Sequence, residues 1–237
     1  QGTDGRTRKY SVVSRCRFGL MLHGKRILIT AGPTYERIDP VRFIGNFSSG
    51  KMGFALAEAC AEHGAEVLLV AGPVQLSVTH RRIRRIDVVS AAEMYETVME
   101  HFATCDGAIL CAAVADFTPL TVADTKLKRG TDTLTINLKP TKEIAAALGA
   151  CKRNDQFLVG FALETDNEEQ HALDKLRRKN FDFIVLNSLN DSHACFGYDT
   201  NKITVLTAAG ERVAYPLKSK TEVAADIVRQ GENIVAK

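Results

Sequence analysis

The sequence predicts an α/β chain with a Rossmann-like three-layer fold: a mostly parallel sheet, helices on both faces, and a protruding β-hairpin. Short apolar runs at 26–30 (RILIT), 66–71 (EVLLVA), 107–114 (GAILCAAV), 157–161 (FLVGF) and 183–186 (FIVL) read as strands buried on both faces. Segments of helical period lie between most of them, the alternation of βαβ units. Towards the C-terminus two short runs, 202–206 and 212–215, flank Ala208-Ala209-Gly210 as a hairpin.

Taken in order, the first strand is stopped by Gly32 and Pro33, and a polar loop then brings Asn46, Ser48, Ser49 and Gly50 to the start of an apolar-periodic helix at 52–60. First-turn N–H groups have no partner within a helix and carry the positive end of its dipole. Small residues there let a phosphate or carboxylate come close, so an anionic ligand is expected. Residues 45–51 fit Gly-x-x-x-x-Gly-Lys, but Met52 stands where a P-loop needs Ser or Thr for magnesium, and the strand ends well before Gly45. No Gly-x-Gly-x-x-Gly follows that strand, which argues against a standard dinucleotide fingerprint. An ordinary βα loop with turn glycines is the plainer alternative.

A third strand is expected at 83–89. Ser90 then caps a helix over 91–102, with Glu93 completing a capping box. After 107–114, the stretch 116–130 (DFTPLTVADTKLKRG) keeps no apolar period and ends in Lys126, Lys128 and Arg129. Its place at the carboxyl end of an apolar strand suits a ligand-binding loop, and a solvated cationic face is the other reading. Residues 133–138 (TLTINL) alternate as an antiparallel or edge strand, and 142–148 form a short helix. The amphipathic helix 167–179 turns Leu173 and Leu176 inward and stacks Lys175 on Lys179, pointing to an anionic partner or to a solvated face. A last helix, 221–228, packs back on the sheet.

Composition bounds the function. At 237 residues and 45% hydrophobic content, a sizeable core is available, and a net charge of +3 is too small to imply nucleic-acid binding. The basic run 80–85 reads as a solvated edge. Six cysteines (Cys16, Cys60, Cys105, Cys111, Cys151, Cys195) show no Cys-x-x-Cys, and no His pair has metal-ligand spacing, as expected of a reduced, cytoplasmic protein whose metal ligands are not legible. Residues 1–24 set five cations against Asp4 and read as a basic linker or tail, leaving 25–237 as a single nucleotide-binding domain. The run 18–22 is too short for a signal-peptide core, and no later run would span a membrane. Tyr198 and Lys202 have dehydrogenase-like spacing, but Gly197, Asp199 and Asn201 make a turn there. A nicotinamide-dependent oxidoreductase and a non-catalytic nucleotide-binding module are the competing classes.

The run 29–57 (ITAGPTYERIDPVRFIGNFSSGKMGFALA), followed by AAVADF, KLKR, VGFALET and a Lys-x-x-x-Lys before Asn180, closely resembles phosphopantothenoylcysteine synthetase. That family is the second domain of a bacterial bifunctional coenzyme A biosynthesis protein, and the resemblance runs from about Lys25 to the C-terminus. It implies a magnesium-requiring ligase that joins 4′-phosphopantothenate to cysteine through an acyl cytidylate formed from CTP. It also implies a homodimer and an upstream flavin-dependent decarboxylase domain.

By the same resemblance, Lys126 is the first lysine of a Lys-x-Lys-Lys motif that serves activation. Lys128 matches its third position, and Arg129 replaces the final lysine. Asn46, in Asn-x-Ser-Ser-Gly, is assigned to the acyl cytidylate, and Arg42 to the phosphopantothenate site. The nucleotide falls to Ser48, Ser49 and Gly50, to Cys111, Ala112, Ala113 and Asp116, and to Lys142, Glu143, Ile144 and Ala145. Phe161, Lys126, Lys175 and Lys179 complete that set. Relatives commonly carry Asn-Pro-Asp-Ile where this chain has Thr141-Lys142-Glu143-Ile144.

Overall fold

The computed structural model describes residues 22–131, 133–164, 166–188 and 198–235. The chain runs β1 (Arg26–Ala31), β2 (Tyr35–Arg37), β3 (Phe43–Gly45), α1 (Lys51–Glu62), β4 (Glu66–Ala71), β5 (Ile83–Asp87), α2 (Ala91–Phe102) and β6 (Gly107–Leu110). It continues through β7 (Phe117–Pro119), β8 (Leu138–Pro140), α3 (Ile144–Cys151), β9 (Phe157–Glu164), α4 (Glu168–Arg178) and β10 (Phe183–Ser188). It closes with β11 (Thr200–Asn201), β12 (Ile203–Thr207), β13 (Arg212–Ala214), β14 (Lys218–Ser219) and α5 (Lys220–Val235).

The main sheet has eight strands in the order β13-β12-β10-β9-β6-β1-β4-β5. From β10 to β5 every neighbour is parallel. The chain starts at β1, steps outward through β4 to β5, then returns to β6 on the other side of β1. This reversal opens a crevice at the carboxyl ends of β1 and β6, the place where doubly wound sheets hold ligands.

Alternation along the strands makes two cores. Ile27, Ile29, Val67 and Leu69 face one way, under Leu56 and Cys60 of α1 and Val223 and Ile227 of α5. Leu28, Leu68 and Val70 face the other, under Met94 and Val98 of α2, Leu148 of α3 and Leu176 of α4. The approach of α1 to β1 is close: a Cβ at Gly53 would lie 2.5 Å from the Cβ of Ala31. The box at α2 is shifted by one residue, since Ser90 accepts from Glu93 N–H (3.2 Å) while Glu93 reaches Val89 N–H (2.7 Å).

Several expectations are corrected. No strand forms at 133–138; Leu134 is 61% exposed, so its alternation has no face to bury, and only Leu138 enters β8. β8 pairs antiparallel with β7, which puts part of the 116–130 loop into a small ribbon. β6 stops at Leu110 rather than 114, since the facing strand bends at Gly32-Pro33 and Ala112 N–H turns to the Thr30 hydroxyl at 3.2 Å. The hairpin expected to protrude is the sheet's own edge, β13 pairing with β12 and β12 antiparallel with β10. Leu22, read as tail, is buried in the core. The last helix is longer, from Lys220 to Val235. Cys60, Cys105, Cys111 and Cys151 form no disulfide, whereas Cys16 and Cys195 lie outside the described residues. Among the described residues no helix is long and apolar enough to cross a membrane.

Candidate functional site

Three threonines hold the segment that leaves β6. Thr30 Oγ1 accepts from Ala112 N–H and Thr34 Oγ1 from Ala115 N–H (2.9 Å), while Thr141 donates to Ala115 O at 2.7 Å. Asn46 adds a bridge from the opposite loop, its amide donating to Ala113 O (3.0 Å) and Val114 O (3.3 Å). Residues 111–115 therefore form a fixed wall between two clefts, and Ala112, Ala113 and Phe161 line both.

The first cleft, about 190 Å³, is bounded by Ser48, Ser49 and Gly50 at the start of α1, by Cys111, and by Asn187, Asn201 and Lys220. α1 has no side-chain cap and no acid in its first turn, and its N-cap Gly50 sits at φ 78°, a conformation that favours glycine. The dipole is thus uncompensated where Lys51 and Lys220 add positive charge. Lys51 Nζ pairs with Asp199 at 2.5 Å, and Lys220 Nζ donates to Tyr198 O at 2.6 Å. Asn187 Oδ1 is buried without a hydrogen-bond partner among the described residues. Burial pushes the Cys111 thiol up to about 12.

The second cleft, about 430 Å³, lies between the start of α3 and the lysine face of α4. α3 also lacks a side-chain cap. Lys179 Nζ meets Glu143 Oε1 at 2.5 Å and Lys175 Nζ meets Glu164 Oε1 at 2.6 Å, with His171 Nδ1 3.6 Å from Glu164 Oε2. The hydrogen bond from Lys179 outweighs burial and holds the Glu143 carboxyl below its usual range. Lys142 lies over the Tyr95 ring, 4.8 Å from its centroid. The two lysines expected to await an anion already hold carboxylates.

The chain matches the DNA/pantothenate metabolism flavoprotein C-terminal domain family over residues 22–234. It belongs to that family. A solved structure of the C-terminal domain of the coenzyme A biosynthesis bifunctional protein CoaBC is 44% identical with a TM-score of 0.78, covering 91% of this chain and 98% of that one. Among curated relatives, CoaBC of Bacillus subtilis (strain 168) is 46% identical over 209 residues, 88% of this chain and 51% of that protein. A protein of an unknown prokaryotic organism, named cysteine/cysteine sulfinic acid decarboxylase, is 58% identical over 209 residues, 88% of this chain and 58% of its own length. The chain thus spans about half the length of the curated relatives it matches. The family resemblance drawn from the motifs is borne out.

In this flavoprotein C-terminal domain the expected nucleotide residues other than Lys126 converge on the two clefts. Ser48, Ser49, Gly50 and Cys111 line the first, and Asp116, Lys142, Glu143, Ile144, Ala145, Lys175 and Lys179 line the second. Arg42, Asn46 and Lys126 line neither. Asn46 touches the wall between the clefts, and Arg42 is tied to the Lys126 loop through Leu127 O at 2.6 Å. Lys126 itself is exposed. Sequence reading missed Glu164, Lys220, Asn187 and the buried Asp39. For Asp39 a signal existed, since Asp-Pro is a turn-forming pair. Lys220 has none in its local sequence.

Proposed function

We propose that the chain is a phosphopantothenate–cysteine ligase that uses CTP. A carboxylate oxygen of 4′-phosphopantothenate attacks the α-phosphorus, and the bond to the β-phosphate breaks, giving an acyl cytidylate and pyrophosphate. The cysteine amine then attacks the acyl carbonyl, loses a proton, and CMP leaves as phosphopantothenoylcysteine forms. The observation that carries this reading is the bridge from Asn46 to Ala113 and Val114, which sets an amide beside the wall common to both clefts.

The chemistry suits the residues. The open start of α1 with Lys51 and Lys220 offers N–H groups and charge to phosphates. The second cleft, with Asp116 and the start of α3, is assigned to the nucleoside, and Lys175 and Lys179 to its phosphates. Lys126 brings a cation to the α-phosphate as charge builds there, and Asn46 is assigned to the acyl cytidylate, turning one N–H from Val114 O, the longer of its two bonds, to the oxyanion of the second step. Among the described residues no three His, Cys, Asp or Glu side chains converge as a metal cage. Magnesium is taken to enter with the triphosphate, where it would neutralise charge at phosphorus.

Exposed apolar side chains gather on and beside two neighbouring ribbons: Val41 and Phe43 at β2–β3, and Phe117, Leu120 and Val122 at β7–β8. This patch is assigned to a homodimer interface. The bifunctional name of the CoaBC relatives supports a flavin-dependent decarboxylase domain upstream. The reading is tested by mass spectrometry of the protein mixed with magnesium, CTP and 4′-phosphopantothenate without cysteine. An acyl cytidylate that disappears on adding cysteine is expected, and its absence from a folded, nucleotide-binding protein would favour the non-catalytic module.

A further inference from the structure

Asp39 lies in the turn between β2 and β3, and its side chain is 0% exposed. Its two oxygens do different work. Oδ1 accepts from the backbone N–H groups of Val41 and Arg42, both at 2.8 Å, which closes an Asx-type turn. Oδ2 accepts from Arg42 Nε at 2.9 Å, from Arg42 Nη2, and from Leu127 N–H at 3.1 Å. The same Nη2 donates to Leu127 O at 2.6 Å.

Leu127 is therefore gripped by both backbone groups, its N–H by the acid and its carbonyl by the guanidinium. A further bond, Ala123 N–H to Ile38 O at 3.0 Å, fastens the same segment to the same turn. Lys126 and Lys128 flank the gripped residue and are exposed. An enclosed carboxylate is costly unless its lone pairs are used, and a turn alone needs only Oδ1. Burial opposes ionisation of Asp39, but the Arg42 guanidinium and the three backbone N–H groups outweigh it and hold the carboxyl well below the usual range. The carboxylate is therefore the favoured form in the grip.

We propose that Asp39 is a positioning residue for the Lys126 loop: through Oδ2 and Arg42 it fixes the backbone at Leu127, and with it the line along which Lys126 reaches the α-phosphate. This rests on the ligase reading, in which Lys126 serves activation. Asp39 itself touches no reacting atom.

Asp39→Asn separates the two oxygens, because asparagine keeps an acceptor for the turn while an NH2 replaces the gripping oxygen. Leu127→Pro removes the gripped N–H from the other side and leaves Asp39 and Arg42 in place. Leu127→Ala keeps both backbone groups and serves as the comparison. In the full chain, trypsin should cut after Lys128 and Arg129 about tenfold faster in Asp39→Asn and in Leu127→Pro than in Leu127→Ala, as expected of a segment released from its contacts; the bond after Lys126 is left out because trypsin does not cut before proline. The kcat for pyrophosphate release should fall about 100-fold in both with the KM for CTP nearly unchanged, the signature of a misplaced group rather than lost binding. Wild-type cleavage rates in both variants, or lost kcat without faster cleavage, would overturn the proposal. Should Asp39→Asn not fold, Leu127→Pro decides alone. A wild-type chain that releases no pyrophosphate sinks the ligase reading instead, and the cleavage rates then decide whether Asp39 fixes the loop.

Discussion

The side-chain amide of Asn46 donates to the carbonyl oxygens of Ala113 and Val114, 3.0 and 3.3 Å away, and so joins the loop before α1 to the loop after β6. The loop after β6 is also held from the β1 side by Thr30, Gly32 and Thr34, so Asn46 adds a tie from the third side, the loop after β3. It is also the amide assigned to the acyl cytidylate.

Asn46→Ala removes both bonds. Net losses of about 0.5–1.5 kcal/mol per bond make a modest change in stability. Turnover should fall on the order of 100-fold, as when one preorganised oxyanion donor is removed. Asn46→Asp sets a carboxylate against two carbonyl oxygens and should be worse in both respects. Thermal melts beside steady-state CMP production separate the two effects.

Lys179→Met should raise the KM for CTP about tenfold, a loss of about 1.4 kcal/mol of binding. Its effect on stability depends on pH with a definite sign. Lys179 lowers the folded pKa of Glu143, so the pair stabilises the fold above the ordinary carboxylate range, near about 4.3, and that contribution is lost as pH falls through the lowered value. The gap in melting temperature between wild type and Lys179→Met should be present at neutral pH and close in acid. A gap that widens in acid would contradict the pairing.

Gly53→Ala tests how closely α1 must lie on β1. The new methyl would sit 2.5 Å from Ala31 Cβ and 3.0 Å from its Cα, so the helix must shift. Such overpacking costs about 1–3 kcal/mol. Because the same helix start borders the first cleft, CTP binding should weaken with stability, measured by melts and by titration calorimetry.

Thiol labelling reads the site cheaply. Cys151 is exposed, whereas the Cys111 thiol is raised by burial to about 12. Only the thiolate reacts, so iodoacetamide at mild alkaline pH should modify Cys151 at least about 100-fold faster than Cys111. Peptide mapping assigns the sites, and equal rates would contradict the raised Cys111 thiol.

What the sequence made legible was local. α2 follows from Ser90, Glu93 and the inward Met94, Val98 and Phe102, and the structure starts and ends it at the expected residues. All the parallel strands but β5 (IRRID) were plain from continuous apolar runs. Residues 133–138 misled because period-2 alternation signals a strand only where one face is covered, and here neither is. Long-range partners left no local mark. Asp39 and Leu127 are 88 positions apart, and the carboxylates that hold Lys175 and Lys179 come from the end of β9 and the cap of α3. Lys175 and Lys179 were visible as a cationic face, but not as two finished ion pairs.

The most direct measurement is pyrophosphate release on mixing the chain with magnesium, 4′-phosphopantothenate and either CTP or ATP, with and without cysteine. The account predicts release that needs phosphopantothenate and prefers CTP, with CMP accumulating once cysteine is present. A folded protein that releases no pyrophosphate with either nucleotide, or releases it without phosphopantothenate, would contradict it.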